Sequence, residues 1–278
     1  MKKSVFAGLI LCAVLLCGVG LFGGNASRQA SAATSGCYRF PYDGQKIKIG
    51  SYYYRLNKDG VLQRSKSKSK NFKTVAKSNT SDYLSDGKKI YYLNYSDKKK
   101  TRVIYRVNMD GKAKKKMVST KKYITLSTIY NNKLYVAEGG EEIGYTTYSV
   151  ALNGGSKLKL VQKELRLYNE RQGQYILGAE WEPTDVSPYM ICVYNAKTNK
   201  KIRIGVGTAA HFIDKELYYA SWEDETFKIK KCNPDGTNVK ELAVLENDTV
   251  WYVYKVTKTY CEGYSTDGDG LKVVRINY

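Results

Sequence analysis

Three features of the sequence predict an all-β fold, a six-bladed β-propeller with four antiparallel strands per blade. Three separate registers keep a period near 42 residues. Short alternating runs are divided by Asp-Gly and Asn-Gly turns, and long helical periodicity is absent after residue 30. Hydrophobic content of 42% with 13% aromatic residues excludes a disordered chain, and 278 residues can bury a substantial core.

The first register is a polar turn followed by an apolar, tyrosine-bearing run, as in Gly87-Lys-Lys-Ile-Tyr-Tyr92, Asn132-Lys-Leu-Tyr-Val136 and Asp214-Lys-Glu-Leu-Tyr-Tyr219. It places Tyr54, Tyr91, Tyr135, Ile176, Tyr218 and Tyr260 at intervals of 37, 44, 41, 42 and 42 residues. The second recurs one strand later, in Val103–Val107, Thr147–Val150, Tyr189–Val193, Phe227–Ile229 and Lys272–Ile276. The third is a short basic strand ending at Val75, Val118, Val161, Ile204 and Leu242, the first four spaced 43 apart.

Each unit holds four short strands; in the third they are expected at Tyr123–Tyr130, Lys133–Gly139, Tyr145–Leu152 and Lys157–Gln162. The turns at 59–60, 86–87, 110–111, 153–154 and 235–236 carry the chemistry of tight hairpins. Four strands at this period describe a propeller blade; an open solenoid stack is the alternative. The sixth unit stops at Tyr278 after its third strand. Open edges invite aggregation, so Cys37–Tyr42 is expected to supply the missing outer strand and close the ring with the two chain ends.

Tyrosine-led second strands, Asp-Gly turns and six units near 42 residues resemble the exported bacterial propellers related to the YWTD repeats of low-density-lipoprotein receptors. The resemblance covers nearly the whole chain after the leader and implies a propeller exported by a Gram-positive cell, in a family with no assigned activity. No unit reads Tyr-Trp-Thr-Asp: the matching stretches are Tyr91-Tyr-Leu-Asn94, Tyr135-Val-Ala-Glu138 and Tyr218-Tyr-Ala-Ser221. The resemblance therefore transfers no catalytic residue.

The N-terminus predicts the route. Lys2 and Lys3 precede an apolar run from Val5 to Gly24, and Ala30-Ser31-Ala32 follows as a cleavage site, so 1–32 is expected to be a secretory signal and 33–278 the propeller. The run is also long enough to span a bilayer, which leaves an uncleaved anchor as the alternative. Leu16 stands where a small residue should precede a lipid-modified Cys17, against a lipoprotein. Either route makes the protein secreted or cell-surface.

Cys37, Cys192, Cys232 and Cys261 are too few for a disulfide scaffold, and at most one bridge is expected. A single histidine, His211, excludes His-rich metal sites and is expected to line the inner strand of the fifth unit. Asp267-Gly-Asp-Gly270 opens like a calcium loop but lacks the later oxygen ligands, and reads as a tight turn. No metal or cofactor is expected: phosphate-cradling glycine loops, zinc spacings and nucleotide fingerprints are all missing.

Six positions after the register residue an acid recurs, at Asp97, Glu141, Glu182 and Asp224, with Asp267 one step later in the sixth unit. Two positions earlier stand Tyr95, Trp222 and Tyr264, with Trp181 one step later in the fourth unit. All fall at the turn between second and third strands, on one rim, where loops on a rigid scaffold bind ligands. Aromatic faces beside carboxylates suit a glycan or an extended peptide; the plain structural reading is that the tyrosines pack and the acids are solvated turn residues. A glycosidase needs two acids about 5–10 Å apart, one of them with a raised pKa. Glu180 and Glu182 flank Trp181, but nothing in the sequence marks either as buried.

Residues 55–122 hold 21 Lys/Arg against 5 Asp/Glu, whereas 123–278 hold 19 against 20. Nearly all of the net charge of +20 therefore sits on the first two units. Its runs are Lys66, Lys68, Lys70 and Lys73; Lys98, Lys99 and Lys100; Lys112, Lys114, Lys115 and Lys116; and Lys121 and Lys122. Lysines act as point charges rather than planar clamps, and a one-sided excess attracts polyanions over about 8 Å at physiological salt. Solubility is the plain alternative. Export directs the expectation to a wall polyanion such as teichoic acid, or to an anionic membrane surface, rather than to nucleic acid. The sequence thus predicts a monomeric, non-enzymatic binding or adhesion module of the cell envelope. An envelope hydrolase or lyase acting on carbohydrate, and a scaffold for a membrane complex, are the alternatives.

Overall fold

The computed structural model describes residues 36–42, 44–140, 144–181, 189–245, 250, 252–266 and 271–278. The expected leader, 1–32, lies outside them, as do Glu141, Glu182 and the 267–270 turn. The described residues form antiparallel sheets of three to seven strands with no helix among them. They fall into two compact units, one comprising 36–181 and 194–201, the other 189–193 and 202–278.

In the first unit, β1 (Tyr38–Arg39) precedes a four-stranded sheet of β2 (Ile47–Ile49), β3 (Tyr52–Leu56), β4 (Val61–Ser65) and β5 (Lys73–Lys77). The next sheet contains β6 (Tyr83–Ser85), β7 (Lys89–Ser96), β8 (Thr101–Asn108) and β9 (Lys115–Thr120). A third holds β10 (Ile124–Tyr130), β11 (Lys133–Gly140), β12 (Gly144–Ala151) and β13 (Lys159–Lys163), within two residues of the expected strands.

β14 (Arg166–Gln172) and β15 (Tyr175–Trp181) pair in the first unit. β16 (Tyr189–Asn195) and β17 (Lys200–Ile213) follow, and β17, β18 (Glu216–Glu223), β19 (Thr226–Cys232) and β20 (Lys240–Leu245) pair in sequence as an antiparallel run. The 14-residue β17 runs from the fourth-strand register near Ile204 to the first-strand position before β18, so two expected four-strand sets share it. The second unit ends in β21 (Tyr252–Val256), β22 (Tyr260–Thr266) and β23 (Leu271–Asn277).

Register residues make the core. On β7, Ile90 and Tyr92 pack with Tyr54, Leu56 and Leu62 of the preceding sheet, while Tyr91 and Leu93 pack with Ile124, Leu134 and Val136 of the following one. Successive strand residues point to opposite faces, so a strand covered on both sides becomes a continuous apolar run. That explains why the tyrosine register stands out in the sequence. In the second unit Tyr218, Ala220, Phe227 and Ile229 pack likewise with Val253, Val256 and Cys261. Buried hydroxyls keep partners: Tyr83 donates to the carbonyls of Gly60 at 3.0 Å and Ala76 at 3.2 Å, and Tyr91 to Asp86 Oδ2 at 3.1 Å.

The expected closure is corrected. Among the described residues the last sheet has three strands and Cys37–Tyr42 adds none to it; β1 pairs with β6 instead, Tyr38 opposite Ser85 and Arg39 opposite Leu84. The cause is polar. Arg39 Nη1 lies 2.9 Å from Asp82 Oδ1, and Nη2 donates to the carbonyls of Leu126 and of Ser127, the latter at 3.2 Å. Asn169 Nδ2 donates to the Cys37 carbonyl at 3.3 Å, and Phe40 packs edge-on against Tyr54 and Tyr83. A segment so engaged is held at β6.

Candidate functional site

The candidate rim residues divide. Tyr95 ends β7 half-buried, its backbone held both ways by Asn79, which accepts from Tyr95 N at 2.8 Å and donates to Tyr95 O at 2.7 Å. Asp97 is exposed in the following turn, and Trp181 is half-buried at the end of β15. Glu141 and Glu182 fall outside the described residues. In the second unit, Trp222 packs edge-on over Phe227 at 4.8 Å. Asp224 is exposed and pairs with Lys228 at 2.8 Å, which holds its carboxyl below the usual range. The β18–β19 hairpin thus uses both side chains internally.

Tyr264 has company that the sequence reading missed. Tyr254 lies 4.9 Å from its ring and Tyr252 stacks at 6.3 Å, giving three half-buried tyrosines on the last sheet. The alternation Tyr252-Val-Tyr254 was the available signal. Beside them Glu262 accepts from Lys255 at 2.9 Å and from Arg275 Nε at 3.0 Å, and both cations lie over the Tyr260 ring, at 5.0 and 4.2 Å. Burial pushes the Glu262 carboxyl up, but the two hydrogen-bonded cations prevail and hold it below its ordinary value.

Carboxylates suited to acid–base chemistry are already engaged. Glu180 is 2% exposed on β15, and Lys201 forms an ion pair with it. His211 is buried on β17, opposite Tyr218 in register. All four cysteines are buried thiols, and burial pushes Cys37, Cys232 and Cys261 up to about 11, far from a reactive thiolate. Among the described residues no group of three His, Cys, Asp or Glu side chains could hold a metal ion.

The lysines are arranged differently. Lys98, Lys99, Lys100, Lys112, Lys114, Lys115, Lys116 and Lys121 are exposed. Lys122 is not a free charge: it pairs with Glu138 at 2.5 Å and donates to the Tyr148 hydroxyl at 2.9 Å. Hairpin register also divides the run. Ser96 is opposite Thr101 and Arg102 opposite Thr120, so Lys98–Lys100 and Lys121 lie at one end of β8. Arg106 is opposite Lys115, which puts Lys112–Lys116 at the other end, about 24 Å away for an eight-residue strand.

No family model matches the chain, and no curated protein does. Among solved structures it is similar to a prolyl endopeptidase, with TM-score 0.59, 13% identity, and coverage of 99% of this chain and 46% of that one. An oligogalacturonate lyase from Vibrio parahaemolyticus gives TM-score 0.51 at 8% identity, covering 87% of this chain and 76% of that one. A TolB from Acinetobacter baumannii gives 0.43 at 14%, covering 99% and 67%. The chain thus spans less than half of the endopeptidase it matches. At such identities the likeness concerns fold alone, and the endopeptidase and the lyase share a β-propeller fold with it.

Proposed function

We propose that the chain is an exported, non-enzymatic binding module of the Gram-positive cell envelope. In this reading residues 33–278 form a six-bladed β-propeller, residues 1–32 direct export or anchor it, and a group of exposed lysines on the first two sheets adheres to an anionic wall polymer or membrane surface. One contrast carries the reading. In the second unit Lys228, Lys230, Lys231, Lys255 and Lys258 pair with acids, whereas the exposed Lys215 and Lys240 make no ion pair among the described residues. Among the described residues Lys66, Lys68, Lys70, Lys112, Lys115 and Lys116 make no ion pair, while remaining exposed. A run of exposed, unneutralised lysines on two neighbouring sheets leaves a positive field that attracts an outside anion.

The tyrosines at 252, 254 and 264 offer a second contact, for a glycan or peptide, through stacking on half-exposed rings. The ion pair between Glu180 and Lys201 favours binding over acid–base chemistry, because that carboxylate is already engaged by a cation inside the sheet. The test is sedimentation of the full chain with isolated cell walls, before and after extraction of their anionic polymers. Retention that disappears on extraction supports the reading; equal retention on both contradicts it.

A further inference from the structure

We infer that one end of the first two sheets, formed by the β4–β5 and β8–β9 turns, is the binding face for a linear phosphate polymer, and that the lysines at the opposite end do not belong to it. The inference rests on the proposed binding role and gives it a place and a ligand class.

The first turn alternates: Ser65-Lys66-Ser67-Lys68-Ser69-Lys70. Its serines knit the loop. Ser65 Oγ donates to the Lys70 carbonyl at 2.6 Å and accepts from Ser67 N at 3.0 Å, and Ser67 Oγ accepts from Ser69 N at 3.3 Å. Their hydroxyls are therefore spent inside the turn, and the alternating Lys66, Lys68 and Lys70 are all exposed. Residues two apart stand at most about 7 Å from one another, a spacing compatible with successive phosphates of a phosphodiester chain.

The second turn is held as firmly. Asn108 N donates to the Lys112 carbonyl and Gly111 N to the Asn108 carbonyl, both at 2.9 Å, and Asp110 Oδ1 accepts from Lys112 N at 2.9 Å. Asp110 is the one acid of this turn, and it is used to close it. Gly111, at φ 85°, brings the turn against β5: a Cβ there would lie 2.5 Å from the Val75 carbonyl oxygen. Tyr54 Oη adds a hydrogen bond to the Met109 carbonyl at 3.2 Å. The backbone therefore fixes Lys112 beside the strand that begins with Lys73, and the two lysine turns become neighbours.

Composition selects the ligand. The nearby arginines are already engaged, Arg55 stacked on Phe72 at 4.1 Å, Arg64 on Tyr52 at 4.5 Å, and Arg106 Nη1 donating to the Leu152 carbonyl at 2.7 Å, which leaves lysine ammoniums as the available cations. Point charges without a planar fork read charge density rather than carboxylate geometry. A flexible chain of phosphates satisfies that requirement.

Three charge-matched variants test the inference against inorganic polyphosphate of one chain length. The first carries Lys66→Gln, Lys68→Gln and Lys70→Gln; the second Lys112→Gln, Lys115→Gln and Lys116→Gln; the third Lys98→Gln, Lys99→Gln and Lys100→Gln. Every replaced lysine is exposed, and Lys114, whose ammonium sits 4.3 Å over the Tyr105 ring, is left in place to preserve packing. The first two should each weaken binding about tenfold and flatten the log–log salt slope by about 2, the third leaving both nearly unchanged. Equal losses in all three overturn the face while sparing the binding role. Absence of binding by the unaltered chain overturns the role itself. Binding to phosphatidylglycerol vesicles without binding to polyphosphate overturns the polymer as ligand.

Discussion

Arg39 and Asp82 stand 43 positions apart in sequence and 2.9 Å apart in the fold, joining β1 to the segment that leads into β6. Asp82 also accepts from Leu126 N at 2.6 Å, and Arg39 reaches the carbonyls of Leu126 and Ser127, so two side chains tie β1 and β6 to β10. This network replaces the ring closure that the chain ends suggested.

Removing one member should cost more than removing both. Arg39→Met leaves Asp82, 6% exposed, without its cation, and should destabilise the chain by about 3 kcal/mol, an amount typical of breaking a buried pair. Arg39→Met combined with Asp82→Leu should recover part of that loss. Urea unfolding of the single and double variants measures the coupling.

Gly111→Ala tests the contact between the first two sheets. The positive φ and the approach to Val75 both oppose a methyl group, and a loss of about 2 kcal/mol is expected. Gly173→Ala, at φ 58° with nothing within 4 Å of the added Cβ, should cost less. Thermal unfolding of the two variants compares them directly.

The thiols set an alkaline limit. Cys37, Cys232 and Cys261 rise from an ordinary 9.0 to about 11 on folding, mainly through burial. The folded chain then holds protons that the unfolded chain releases, so the stability they contribute is complete below about pH 9 and is lost as pH climbs towards 11. The loss should reach about 2 kcal/mol per thiol. Urea midpoints recorded across this range check the direction, and an aromatic disulfide reagent should label these cysteines only after unfolding.

Glu262 sets an acid limit of opposite sign. Its carboxyl is held low by Lys255 and Arg275 despite burial, so its contribution is present above its unfolded value and fades as pH falls below about 4.3. Glu262→Gln should cost about 2 kcal/mol at neutral pH, and the difference from the unaltered chain should shrink on acidification. Paired pH titrations of stability measure that convergence.

The repeat was legible because register residues such as Tyr91 and Tyr135 lie on strands covered on both faces, where burial forces the same residue types at each return. β1 was not: two residues carry no periodicity, and their position depends on Asp82, Leu126 and Ser127 far along the chain. β17 hid its length because its residues fall in two registers, a fourth strand ending at Ile204 and the first strand of the next unit, and Gly207 lets the chain pass continuously close beside Ala220. Lys98–Lys100 and Lys112–Lys116 looked like one patch because they are close in sequence; an intervening strand carries them to opposite ends. The burial of Glu180 left no mark in sequence, since its partner Lys201 lies on another strand.

The most direct measurement is the affinity of the full chain for inorganic polyphosphate across a series of salt concentrations. A lysine face working by charge predicts a straight fall of log affinity with log salt, with a slope of about −0.7 for each phosphate engaged. Affinity that does not change with salt, or no binding at low salt, would contradict it.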